Sequence, residues 1–278
     1  MRIDALFDIG KYDEAEKQIR QQLTQDPEDA YWLLNLGRVL MCQENYQAAE
    51  EALLKSLGFN PDFGGAYYLL SFTSHCLSKF TLELDYAKKA AEIDPEDPDF
   101  LQRLAKAHLQ NGEIKQAHTI LQQVIKLEPD SEEAFRLLGD IELEQEKYAA
   151  AEHAYREALK YDPEDISLLN GFARSLIAQK RKLRDAIDVL YNIVQLDPTN
   201  KVITQNLYFA IREWIDKNTI KGKRKSALTD LPEPLQLFYK DYKQRSSIFE
   251  AWGKYSWGLA WFGALALMTY LFSLIEKT

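Results

Sequence analysis

Four histidines, two cysteines and 43 carboxylates are the side chains here that could carry chemistry. A zinc site of the hydrolytic kind needs HExxH spacing on a helix, and a structural one needs close cysteine pairs, so that the ligands converge on one ion. His75, His108, His118 and His153 show no such spacing and have no cysteine pair beside them. His75 and His108 fall in adjoining stretches of similar pattern, where two helical histidines read as packing or surface. No GxGxxG, GxxxxGK[ST] or GxSxG run occurs, so neither a phosphate cradle nor an activated serine is indicated. The carboxylates sit mostly in turns and on polar helix faces, where they cap and solvate. The expectation is a non-enzyme with no catalytic residue, no metal, no cofactor and no small-molecule substrate.

The elements that would position any binding residues are more explicit. From Glu132 to Pro163, two apolar runs at helical spacing flank the polar turn Gln145-Glu146-Lys147. Ala134, Leu137, Leu138 and Ile141 share one face. Tyr148, Ala151, Tyr155, Ala158 and Leu159 share the other. Asp162-Pro163 ends the second helix, because proline lacks an N–H and restricts the residue before it. The unit recurs: Pro27, Pro61, Pro95, Pro129 and Pro163 follow one another at 34 residues, and Pro198 at 35, with the extra residue in Lys180-Arg181-Lys182. Asp29, Asp62, Asp97, Ser131 and Asp165 are placed to cap the following helices.

Registered small and aromatic residues accompany the prolines. The first helices carry Gly37, Ser71, Ala105, Gly139 and Ala173. The second carry Ala15, Ala49, Ala117, Ala151 and Ala186, with Glu83 departing. Tyr12, Tyr46, Phe80 and Tyr148 flank the turns, with Ile114 in one unit. This pattern resembles the tetratricopeptide repeat family over residues 1–200. The resemblance implies an all-α superhelical solenoid in which small residues let antiparallel helices approach and each hairpin buries its neighbour. The expected organisation is a solenoid over 1–217 with a partial first unit, five fuller repeats and a capping helix. A basic, proline-containing linker over 218–234 and an amphipathic helix over 235–255 would follow.

The run from Ser256 to Ile275 contains no charge. About twenty apolar residues suffice to cross a hydrocarbon core, and Trp252, Tyr255, Trp257 and Trp261 crowd its entrance, as at a membrane interface. It is read as a transmembrane helix over 256–275. Lys240, Lys243, Arg245 and Lys254 precede it, which places the solenoid on the cytoplasmic side of a single-pass, C-terminally anchored protein. Arg2, Asp4 and Asp8 interrupt any apolar run at the start, so no secretory signal is expected. Residues 1–200 hold 22 Lys and Arg against 36 Asp and Glu, which argues against nucleic acid as a partner. Cys42 and Cys76 occupy equivalent positions. Stacked helices lie about 8–10 Å apart, long for a disulfide, so both read as core thiols in a reducing compartment.

The resemblance also implies a concave groove lined by the first helix of each unit. Carried onto this sequence, its inward positions include Tyr31, Arg38, Tyr68, Phe72, Lys106, Arg136, Asn170 and Arg174. Aromatics at one end would grip apolar side chains. Lys106, Arg136 and Arg174 with Asn170 would favour a carboxylate-bearing peptide. The Lys/Asn/Asn/Lys/Arg set with which some relatives hold chaperone tails is not present in full. The resulting expectation is a membrane-tethered scaffold for a protein or peptide segment. Two other readings fit the same residues: a soluble co-chaperone or secretion-chaperone-like adaptor with a docked apolar tail, and an assembly factor or regulatory subunit of a membrane complex.

Overall fold

The computed structural model describes residues 3–219 and 224–244. All regular structure among these residues is helical. The chain forms two compact units, Met1–Leu168 and Leu169–Thr278. In the first, α1 (Ile3–Asp8) and α2 (Tyr12–Gln25) are followed by four hairpins: α3 (Ala30–Cys42) with α4 (Tyr46–Phe59), α5 (Gly64–Cys76) with α6 (Phe80–Ile93), α7 (Pro98–Gln110) with α8 (Ile114–Leu127), and α9 (Glu132–Glu144) with α10 (Tyr148–Ala158). The boundary falls within α11 (Ile166–Ala178). The second unit continues with α12 (Leu183–Leu196), α13 (Lys201–Asn218), α14 (Arg224–Thr229) and a helical stretch over 233–244, α15. The apolar run at 256–275 lies outside the described residues. No helix among the described residues is long and apolar enough to cross a membrane.

Each hairpin turns through one left-handed residue: Gly10, Glu44, Ser78, Gly112, Glu146 and Lys180, with φ between 52° and 74°. They fall at the repeat interval of the prolines. The next residue's N–H then reaches back to the fifth carbonyl before it, as in Asn45 to Leu40 at 2.9 Å and Lys147 to Glu142 at 2.8 Å. That bond satisfies an orphan carbonyl at the helix end. Only two of the six are glycine, although a side chain in this conformation costs about 1–2 kcal/mol. The extra residue of the sixth repeat follows Lys180, and there the Arg181 N–H bonds the Gln179 carbonyl at 2.5 Å instead.

The small residues act as the family pattern implies. A Cβ on Gly37 would lie 2.5 Å from Leu53 Cγ, and one on Gly139 would lie 2.8 Å from the Tyr155 ring. Tyr155 is fully buried, and its hydroxyl donates to Asp140 at 2.6 Å. Asp29, Asp97 and Asp165 accept backbone N–H bonds at helix starts. Two expected caps do not form. α5 starts after Phe63, one residue beyond Asp62. The Ser131 hydroxyl instead accepts from Gln102 Nε2 at 2.9 Å. The thiols are not core residues either: Cys42 is exposed and Cys76 half-buried, because both close first helices beside the turn. In the second unit, α14 occupies part of the stretch expected as linker, and Ala227 and Leu231 are buried.

Candidate peptide-binding faces

The expected groove residues of the first unit lie on α3, α5, α7 and α9. Tyr31 on α3 is 52% exposed and meets Trp32 edge-on at 5.4 Å. Phe72 on α5 is 41% exposed. Tyr68, one turn earlier, is half-buried against Phe100 at 5.7 Å. Burial and the Asp99 charge push the Tyr68 phenol above its ordinary value. Gly65 leaves room for Leu34, whose Cδ1 would stand 3.3 Å from a Cβ there, so α3 and α5 meet closely along these aromatics.

Beneath Phe72 lies a charged network that the sequence reading did not single out. Arg103 on α7 is 7% exposed, with its guanidinium 5.5 Å from the Phe72 ring centroid. It donates to the Ser71 hydroxyl at 2.9 Å and to Glu83 on α6, which is wholly buried. The other Glu83 oxygen lies 3.0 Å from His75 Nδ1. Burial pulls the Arg103 guanidinium below its ordinary value while Glu83 opposes that shift. The signal was present as two departures of opposite sign: Glu83 where other second helices hold alanine, and Arg103 where the equivalent residues are Asn35, Leu69, Leu137 and Gly171.

The expected cations are largely engaged within the chain. Arg38 lies 3.4 Å from Asp4 and 4.1 Å over the Phe7 ring. Lys106 Nζ is 2.8 Å from Glu133, and Arg136 grips the same carboxylate at 2.6 and 2.8 Å and Asp140 at 3.1 Å. Burial alone would raise the Glu133 carboxyl, but Arg136 and Lys106 outweigh it and hold it below the usual carboxylate value. The Glu133 bond in turn raises Arg136. The basic end of the first unit is therefore a Lys–Glu–Arg–Asp ladder with its charges balanced. The histidines also turn to carboxylates: His108 to Glu113 and His118 to Glu142, each at 2.7 Å. No group of three or more His, Cys, Asp or Glu among the described residues could hold a metal ion.

In the second unit, Asn170 accepts from Asn206 Nδ2 at 2.8 Å. Arg174 is exposed and has no ion-pair partner among the described residues. The same unit holds an aromatic stack that the sequence did not single out. Tyr208 of α13 stacks on Tyr239 at 5.1 Å and on Tyr242 at 4.7 Å, both from α15. Beside it is a cavity of about 480 Å³ lined by residues including Tyr208, Arg212, Asp216 and Lys243. Burial, then Tyr208, raises the Tyr239 phenol.

Helical hairpins at a 34-residue interval, each turned through a left-handed residue and closed on a small one, define a helical repeat protein. Models of the tetratricopeptide repeat match residues 84–141, and residues 1–62 and 138–201, together more than half of the chain. The chain belongs to the tetratricopeptide repeat family. It is 22% identical over 200 residues to a DnaJ homolog subfamily C member 7 homolog of Dictyostelium discoideum, covering 66% of this chain and 37% of that protein. Among solved structures it is similar to TTC0263, a thermophilic TPR protein of Thermus thermophilus (TM-score 0.53, 23% identity, 63% of this chain and 95% of that one). It is also similar to YrrB, described as a TPR protein with an unusual peptide-binding site (TM-score 0.56, 18% identity, 67% and 96%). A third is the APC/C hetero-tetramer Cut9–Hcn1 (TM-score 0.63, 17% identity, 86% and 47%). These structural likenesses establish the fold.

Proposed function

We propose that the chain is an interaction scaffold whose first unit receives a protein or peptide segment along α3, α5 and α7. The observation that carries this is the pair of exposed aromatics, Tyr31 and Phe72, with Phe72 backed by the buried Arg103. Large aromatics are favoured anchors at binding surfaces, and Phe72 is backed by a buried guanidinium. The likeness to YrrB, a protein described as having a peptide-binding site, supports the same reading. Panning a random peptide library on the full chain tests it. Enriched peptides should lose at least tenfold in affinity with Tyr31→Ser and Phe72→Ser. A set insensitive to both substitutions would remove the assignment.

In the first unit a preference for a carboxylate finds no free cation at Lys106 or Arg136, which already hold Glu133; the exposed Arg174 belongs to the second unit. A co-chaperone-like adaptor is the second reading, favoured by the likeness to the DnaJ homolog. We also carry forward the membrane tether read from residues 256–275. Fractionation of the full chain against a 1–244 truncation decides it: the full chain should sediment with membranes and the truncation should not. Recovery of the full chain in the soluble fraction would remove the tether.

A further inference from the structure

The repeat register also builds a row that the groove does not use. Phe59, Ile93 and Leu127 close α4, α6 and α8, and Tyr161 holds the equivalent position after α10. All four are exposed, at 50, 39, 41 and 49%. Packing within the unit therefore leaves much of each large side chain in water. The Tyr161 hydroxyl donates to the Pro129 carbonyl at 3.5 Å, and Gln123 Nε2 donates to the Pro95 carbonyl at 3.2 Å. Consecutive inter-repeat turns are thus neighbours, and the four side chains form a rib along one edge.

That edge is negative. The turns after the rib residues carry Asp94 and Glu96, Glu128 and Asp130, and Asp162 and Glu164, with no Lys or Arg in 59–66, 93–99, 127–135 or 161–168. Lys126 and Lys160 stand just before Leu127 and Tyr161; Lys160 is held by Glu157 at 2.6 Å, and the turn carboxylates outnumber Lys126. Second helices end here and first helices begin here, so their opposed dipoles largely offset and the formal carboxylates set the sign. Glu132 registers the result: burial, then the charges of Asp165, Glu133 and Asp162, raise its carboxyl above the ordinary value.

We propose that this edge of the first unit is a second docking surface, and that its occupant is a basic amphipathic helix of a partner protein. Apolar residues recurring along one face of a partner helix would meet successive rib residues. Lysine or arginine on either side would meet the turn carboxylates. Phosphate-bearing surfaces are repelled by the same charges, which selects a protein over nucleic acid or anionic lipid.

The test is fluorescence anisotropy on the full chain with a 22-residue peptide carrying leucine at heptad core positions and lysine beside them. Ile93→Ser with Leu127→Ser leaves the charge intact and should weaken binding at least tenfold. Replacing the peptide's lysines by glutamate should abolish binding, and Phe72→Ser should change it less than twofold. No measurable binding of the lysine peptide, binding indifferent to the rib substitutions, or loss with Phe72→Ser in their place would each overturn the proposal. The last outcome would assign the peptide to the groove and leave that reading standing.

Discussion

Glu83 and Arg103 show how far a single side chain can depart from its repeat when its neighbour departs with it. Glu83 occupies a position built for alanine and is wholly buried, and its charge is tolerable because Arg103 meets it. Removing one member of a buried pair costs about 3–5 kcal/mol, whereas replacing both by apolar groups is often neutral or better. Glu83→Ala should therefore lower the urea midpoint sharply, and adding Arg103→Met should recover most of the loss. Equal midpoints for the wild type and Glu83→Ala would show that the pair does not bear on stability. Gly139→Ala is a second test at this scale. Its added Cβ meets the Tyr155 ring at 2.8 Å, and overpacking of this kind costs about 1–3 kcal/mol, readable in the same titration.

At the scale of the element, the turn decides more than the helix. Glu146 has φ 59° and Glu44 has φ 60°, where glycine carries no steric penalty. Glu146→Gly should stabilise the chain by about 1 kcal/mol, the steric relief outweighing the greater freedom of the unfolded chain. Gly112→Ala, at φ 74°, should cost a similar amount. Thermal melts of the two variants should move in opposite directions. The ladder on α9 gives a pH test. Glu133 titrates below the ordinary carboxylate value in the folded chain. Its stabilisation is therefore complete above the unfolded value of about 4.3 and is lost as pH falls through the lower folded value. Glu133→Gln should melt earlier than the wild type at pH 7, and the gap should narrow as the pH falls below the unfolded carboxylate value.

For the molecule as a whole, the hairpins were legible because proline, small residues and apolar spacing each act locally and recur in register. The bends of the chain follow from the same local chemistry, down to the displaced bond after Lys180. The candidate site was only half legible. Tyr31 and Phe72 are exposed on first helices, but the fate of Lys106 and Arg136 depended on Glu133 lying within reach of both. That is a property of side-chain geometry between neighbouring helices, which spacing along one helix does not report. The Ser131 cap failed for a related reason: its hydroxyl found a partner in Gln102 across 29 residues of sequence.

The matched charges of Glu83 and Arg103 bear on how such a chain can change over time. A solenoid of uniform modules tolerates duplication, deletion and shuffling, since every module fits every other. Here the hairpin that ends at Ile93 has a lock cut for one key, and only its present successor carries it. Transposing either module elsewhere strands an ion away from water, so the sequential order of these two is fixed.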